Sequence, residues 1–503
     1  MLISLFEILF KVLIKKREFQ YSTSPKLIDD RIMNKDNYLD FIDPLWDQSI
    51  TPALESYIKI PNKSPLFDRN WEANGFMEQA VTLMCQWCEE NAVNGMTLEV
   101  VRLPHRTPLI FIEIAGASEE TILLYGHLDK QPEMTGWSEG LGPWQPVLKD
   151  EKLYGRGGAD DGYAVFASLS AIAALQRQQI PHARCIIMIE ACEESGSFDL
   201  PFYIDALEKR IGNPSLVICL DSGCGNFDQL WVTTSLRGLI GGVLTIDVLR
   251  EGVHSGSGSG IVPSCFRILR QLLNRIEDEE TGNIRLNDLI VDIPTDRDQQ
   301  AQKAASVLSD EFLADLPFVS DAKAESSSIS ELVLRRTWRA ALSVVGCDGI
   351  PAIANAGNVT LPTLSAKLSL RLPPTCDAQQ AALELKKVLE RDPPYQAKIL
   401  FDILETSNGW NAPIEAIWLK EAANQASQKY FGRDAVYMGE GGSIPFMGML
   451  GKKFPKAQFL ITGVLGPGSN AHGPNEFLHI STAKRLTACV AYVIDAHFRA
   501  LKP

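Results

Sequence analysis

The chain has 503 residues, 45% of them hydrophobic and 22% charged, so it is long enough to bury more than one core and two domains are expected. Its formal net charge of -14 leaves no basic field to draw in nucleic acid or an anionic membrane surface. The 10 cysteines are scattered, several inside apolar runs such as "CIIMIEAC" and "VICLD", which suits reduced thiols in a cytoplasmic protein rather than a disulfide framework.

The N-terminal stretch "MLISLFEILFKVLIKKREF" is apolar, but Glu7 and Lys11 interrupt it, its basic residues follow the apolar part, and it has no small-residue cleavage site. It reads either as an amphipathic surface helix or as sequence upstream of a functional start at Met33, so residues 1–32 are set apart as an extension. In "MEQAVTLMCQWCEEN" the spacing predicts a helix, and Cys85 and Cys88, with no second pair to complete a zinc knuckle, are expected to pack within it. "TILLYGHLD", "RCIIMIEA" and "SLVICLD" read as strands, with a helix over "DDGYAVFASLSAIAALQRQ", and this alternation predicts a doubly wound α/β layer.

Past Arg237 the pattern changes. "LIGGVLTIDVL" and "TLSAKLSLRL" alternate strictly, with Leu364, Ala366, Leu368, Leu370 and Leu372 on one face and Ser365, Lys367, Ser369 and Arg371 on the other. Such strands belong to an antiparallel sheet with one wet face. With helices expected near 261–277 and 377–391, residues 237–406 form an inserted α+β domain between two parts of the α/β domain, 33–236 and 407–503. The second part holds a helix closed by Gly432, the strand "AQFLITGV" and a last helix near 482–500.

Three predicted strands end in metal-type residues: His127 and Asp129 after "TILLY", Glu193 and Glu194 after "CIIMIEAC", and Asp221 after "LVICL". In open α/β sheets the loops beyond the carboxyl ends of strands converge on one crevice. "GRGGADDG" adds Asp160 and Asp161, and "GSNAHGPNE" adds His472. Singly, each has an ordinary explanation: adjacent acids cap helices or face solvent, and a histidine beside glycine belongs to a surface loop. Jointly they match a charge count, because two Zn²⁺ would be neutralised by Asp160, Glu194, Asp221 and one hydroxide. One histidine, one terminal carboxylate and a shared carboxylate per ion would leave each an open position. Glu193 then remains free to act as a base.

The set "GHLDKQP", "GRGGADDG", "EACEESGS", "LDSG", "HSG", "EGGSIP" and "AHGPNE" resembles the di-zinc exopeptidases that include carnosinase and other dipeptidases, carboxypeptidase G, aminoacylase and succinyl-diaminopimelate desuccinylase, and most closely the carnosinase-like dipeptidase branch. The resemblance implies a mixed-sheet catalytic domain with an inserted lid and dimerisation domain. It assigns His127 and Asp221 to one metal, Glu194 and His472 to the other, and Asp160 to both, over a cis peptide to Asp161. Two Zn²⁺ per protomer are implied, with Mn²⁺ or Co²⁺ compatible. Asp129 would hold the far nitrogen of His127, and Glu193 would serve as general base to a metal-bridging hydroxide. His254 would stabilise the oxyanion across a homodimer interface, with Asn355 or Asn358 as a further donor. Arg371 would bind the substrate carboxylate, and Gly441, Gly442 and Ser443 would line the same pocket. The activity implied is hydrolysis of dipeptides or short peptides with a free C-terminal carboxylate, and the alternative is deacylation or desuccinylation of N-acyl amino acids. "LDSG" and "GPGSNAHGPNE" depart from the pattern of vertebrate carnosinases, so carnosine itself is not implied as substrate.

Overall fold

The computed structural model describes Arg17–Glu18 and residues 37–313 and 316–501; Met33 and the rest of the N-terminal extension lie outside the described residues. The chain divides into two compact units: one runs to Thr233 and takes in Pro413–Val436 and the residues from Met449, and the other comprises Thr234–Ala412 and Tyr437–Gly448.

The first unit is built on a seven-stranded mixed sheet, in the order Arg17–Glu18, Met96–Val101, Leu109–Ile114, Arg184–Glu190, Thr121–His127, Pro214–Cys219, Gln458–Ile461. Thr121–His127 is buried along its whole length and lies parallel to both of its neighbours. That explains why it reads as a continuous apolar run rather than an alternating one. The strands toward Met96–Val101 run antiparallel, which makes the sheet mixed. In register, His127 faces Glu190 and Tyr125 faces Cys219, so the segments after His127, Glu190 and Cys219 leave the sheet along one edge.

The helix Ala164–Arg177 follows Thr121–His127 and packs on the closing helix Ile480–Ala500. Small residues bring it close to the sheet. A Cβ at Gly126 would lie 2.4 Å from the Ala164 Cβ and 2.7 Å from Asp161 Oδ2, so glycine is required where strand and helix start meet. Helix Phe76–Glu90 contains Cys85 and Cys88, both free and with Cys88 buried, as expected for helix packing.

The second unit holds a four-stranded antiparallel sheet ordered Ala341–Asp348, Thr363–Leu372, Gly238–Asp247, Lys398–Ser407. Leu364, Ala366, Leu368, Leu370 and Leu372 are buried in a core with Ile240, Leu244 and Ile246, joined by Ile268, Leu272, Leu385 and Leu389 from helices Cys265–Leu273 and Ala378–Glu390. The first of these helices begins four residues later than its apolar pattern suggests. Pro263 has no N–H to give and restricts the residue before it, so the helix starts beyond it, after an extended Ser264.

Gly126→Ala is expected to lower stability by about 1–3 kcal/mol through overpacking, read as an earlier chemical-denaturation midpoint; an unchanged midpoint would show that the strand and helix can separate freely.

Candidate metal centre

Four segments of the first unit meet at the carboxyl edge of the parallel strands. His127 ends its strand, Glu193 and Glu194 form a single turn after Arg184–Glu190, Asp221 follows Pro214–Cys219, and His472 sits in the loop after Gln458–Ile461. Asp160 comes from the glycine-rich loop before Ala164–Arg177, in a cis peptide with Asp161, and caps no helix; the helix starts beyond Tyr163 without a side-chain cap. Two groups of donors result: His127, Asp160 and Asp221, and Asp160, Glu194 and His472, with the ligand atoms of each group within 4.8 Å of one another. His127 Nε2 lies 3.3 Å from Asp160 Oδ1 and 3.8 Å from Asp221 Oδ2. His472 Nε2 lies 3.1 Å from Asp160 Oδ2 and 3.3 Å from Glu194 Oε2. Asp160 therefore offers one oxygen to each group. Among the described residues Glu193 belongs to neither, which leaves its carboxylate available.

The donor chemistry fits a pair of divalent cations. His127 Nδ1 is 3.1 Å from the main-chain oxygen of Asp129, a contact that places its proton there and leaves Nε2 bare toward two carboxylates. That Nε2 is buried without a hydrogen-bond partner and faces two carboxylates, a position that calls for positive charge, whether a proton on the ring or a metal ion. The electrostatics agree. Burial, then the charges of Asp160 and Glu193, pushes the Glu194 carboxyl well above its ordinary value, and burial lifts Asp221 to about 6. Burial works against a charged His127, but Asp221, Asp129 and Asp160 outweigh it and raise its pKa. Asp160, opposed by burial, is held low by its contacts with the two histidines. The site carries more negative charge than its own imidazoles can balance.

Asp129 does more than expected. Its carboxylate stands 3.5 Å from His127 Nδ1, and its oxygens also accept from the backbone amides of Glu193 at 3.1 Å and Glu194 at 3.0 Å. The reason is local: those amides leave a sheet edge without ladder partners, and a neighbouring strand end supplies the acceptor. Asp129 thus orients His127 through its carbonyl and the turn bearing Glu193 through its side chain.

Glu190, which sequence reasoning passed over, supports the same turn from below. It is buried, accepts from Tyr125 Oη at 2.5 Å and Ser197 Oγ at 2.9 Å, and burial pushes it up to about 7. A lone acid inside the apolar run "CIIMIEAC" was its only signal.

The other candidates lie in the second unit. His254 is exposed, accepts from the Gly256 amide, and pairs across a short ladder with Val359. The carbonyl of Asn358 takes the Ser255 amide, which sets Asn358 beside His254, while Asn355 ends a separate exposed turn. Arg371 is half-buried opposite Leu239 and has no ion-pair partner among the described residues. Arg237, also passed over, is buried nearby; its backbone amide donates to the Gly442 carbonyl and its Nε to that of Gly441, so it holds the loop that includes Ser443.

The family model for peptidase family M20/M25/M40 matches residues 123–496. A cysteinylglycine-S-conjugate dipeptidase of Corynebacterium striatum is 27% identical over 377 residues, covering 72% of this chain and 79% of the relative. A human Beta-Ala-His dipeptidase is 24% identical over 399 residues, covering 73% of each. Among solved structures, human carnosine dipeptidase 1 superposes with a TM-score of 0.74 at 20% identity, over 92% of this chain and 98% of that one.

Because Glu190 binds its proton more tightly folded than unfolded, its contribution is complete below its unfolded value and is lost as pH rises through about 7. In metal-stripped protein, Glu190→Gln should therefore gain on the parent by up to about 3 kcal/mol between pH 5 and pH 8. Parallel denaturation curves at both pH values would refute this.

Proposed function

The chain belongs to peptidase family M20/M25/M40, and from that premise we propose that it is a two-metal dipeptidase, acting on dipeptides or short peptides that end in a free carboxylate. The observation that carries this reading is the pair of three-donor groups joined at Asp160, with Glu193 beside them and bound to neither. His127 and Asp221 would hold one cation, and Glu194 and His472 the other. Zn²⁺, or Mn²⁺ or Co²⁺ in its place, would act there as a Lewis acid that polarises the scissile carbonyl and makes water more acidic.

The chain's own residues perform the remaining tasks. Glu193 takes a proton from the attacking water and delivers it to the departing amine; burial and the Asp221 charge raise its pKa toward the range in which both transfers are efficient. Asp129 fixes the peptide from which Glu193 projects. Arg371, with no ion-pair partner among the described residues, pairs with the substrate carboxylate. His254 donates to the developing oxyanion. Its exposure beside the exposed Val359 suits a residue supplied across a homodimer interface, as do the exposed Val344 and Val345 on the edge strand Ala341–Asp348. The dipeptidase names of the relatives favour peptide over N-acyl amino acid substrates. All ten cysteines are free, which supports a reducing, cytoplasmic setting, and no helix among the described residues is long and apolar enough to cross a membrane.

Glu193→Gln should cut turnover of a dipeptide panel by roughly 10²- to 10⁴-fold while elemental analysis still finds two metals per chain; retained turnover would remove Glu193 from its role. Arg371→Met should lower kcat/KM by roughly 10- to 100-fold for dipeptides and leave C-terminally amidated analogues little changed. An equal loss on both substrates would count against carboxylate recognition.

A further inference from the structure

The segment carrying His472 is a turn closed by the Gly473 amide on the Asn470 carbonyl and by Asn470 Nδ2 on that of Pro474, outside any helix or strand. Asn470, His472 and Asn475 all adopt left-handed conformations, at φ of 50°, 64° and 62°, uncommon for residues with a side chain. The His472 side chain is 54% exposed, against 7% for Asp160 and none for His127. Burial places His127 and Asp160. Something else must place His472.

Beneath this loop lies an ion pair that the proposed mechanism does not use. Arg156 and Glu476 are almost completely buried, and Arg156 Nη1 donates to Glu476 Oε2. The other donors and acceptors of the pair reach three loops. Arg156 Nη2 donates to the carbonyl of Gly473, the residue after His472, at 2.7 Å. Arg156 Nε donates to Pro132, in the loop that follows His127 and Asp129, at 3.2 Å. Glu476 Oε1 accepts from the amide of Gly157, three residues before Asp160, at 2.8 Å, and the Glu476 carbonyl accepts from Gly155 at 3.0 Å. Burying two charges costs several kcal/mol per ion unless further hydrogen bonds satisfy them. Here those bonds tie together the loops of three ligands.

We propose that the Arg156–Glu476 pair positions His472 against Asp160, and that it thereby sets the affinity of the Asp160, Glu194 and His472 group for its metal without touching the metal or substrate. The inference rests on the two-metal reading. Its consequence is an asymmetry: both groups share Asp160, but His127 ends a buried strand and His472 does not, so breaking the pair weakens the group of His472 far more than that of His127 and Asp221. Outer-shell partners of this kind typically change metal affinity 10- to 100-fold.

The test is zinc uptake per chain, measured by elemental analysis after equilibration at graded free zinc, with denaturation curves on the same samples. The proteins are the full chain, Glu476→Gln, Arg156→Lys, and Glu99→Gln as a control that breaks a buried carboxylate's pair with Arg210 on the strand Met96–Val101. Glu476→Gln should bind one zinc as the full chain does and the second 10- to 100-fold more weakly, with kcat recovering at saturating zinc. Arg156→Lys keeps the charge but loses the fork, so it should weaken the same site, and it decides the matter where Glu476→Gln does not fold. Glu99→Gln should lose stability and keep both metals. Unchanged uptake in both variants, equal weakening of both sites, or the same second-site loss in Glu99→Gln overturns the inference. Fewer than two metals on the unaltered chain overturns the two-metal reading, and this inference with it.

Discussion

Like charge crowded into a buried corner is the constraint on which this architecture depends. Asp160, Glu194, Asp221 and Glu193 converge beside two imidazoles. In a medium of reduced dielectric, such groups repel by several kcal/mol at contact distances. The surrounding acids show how the protein handles a carboxylate it means to keep alone: each is given donors. Asp129 has the amides of Glu193 and Glu194, Glu190 has Tyr125 and Ser197, and Glu476 has Arg156 and Gly157. Asp160 and Asp221, by contrast, face chiefly histidine nitrogens and one another. Glu194 stands between the two cases, since Gln131 Nε2 donates to its Oε2, and the crowding of Asp160 and Asp221 is what a bound cation would relieve.

Parallel strands make such a cluster possible and leave it hard to hold. Because Arg184–Glu190, Thr121–His127 and Pro214–Cys219 run the same way, their exits fall on one edge, and side chains distant in sequence meet there. The exits themselves are irregular backbone whose amides and carbonyls have lost their ladder. The same side chains that satisfy these orphaned groups also orient the ligands, so support and function are not separable at this edge.

This division explains what could be read from the sequence. Strands such as "TILLYGH" and "TLSAKLSLRL" were legible because burial on two faces and on one face leave different apolar patterns, and the five candidate ligands stood out because they follow strands or lie in glycine-rich loops. Arg156, Glu476 and Glu190 were not. Their meaning lies in hydrogen bonds to residues as many as 320 positions away, and a buried charge leaves no periodicity by which to find it. The second task of the Asp129 carboxylate was hidden for a related reason: spacing gives its proximity to His127 but not the fold of the neighbouring turn whose amides it also accepts. The late start of helix Cys265–Leu273 was set by Pro263, a backbone restriction that outranks the apolar stripe.

The second unit poses the opposite electrostatic problem. In a chain of net charge -14, Arg237 is buried and close enough to Arg371 and Arg336 that, after burial, their charges push it down to about 10, with only Glu440 opposing. Arg237 spends its donors on carbonyls of Gly441, Arg335 and Arg339. Arg371, lowered by burial, has Glu405 as the one opposing charge. Cations crowded in this way repel one another, and an anionic group beside them relieves that repulsion. On the proposed reading that group is the carboxylate of the substrate. The relief is the same in the ground state as in the transition state, so it governs which peptides are held rather than how fast they are cut.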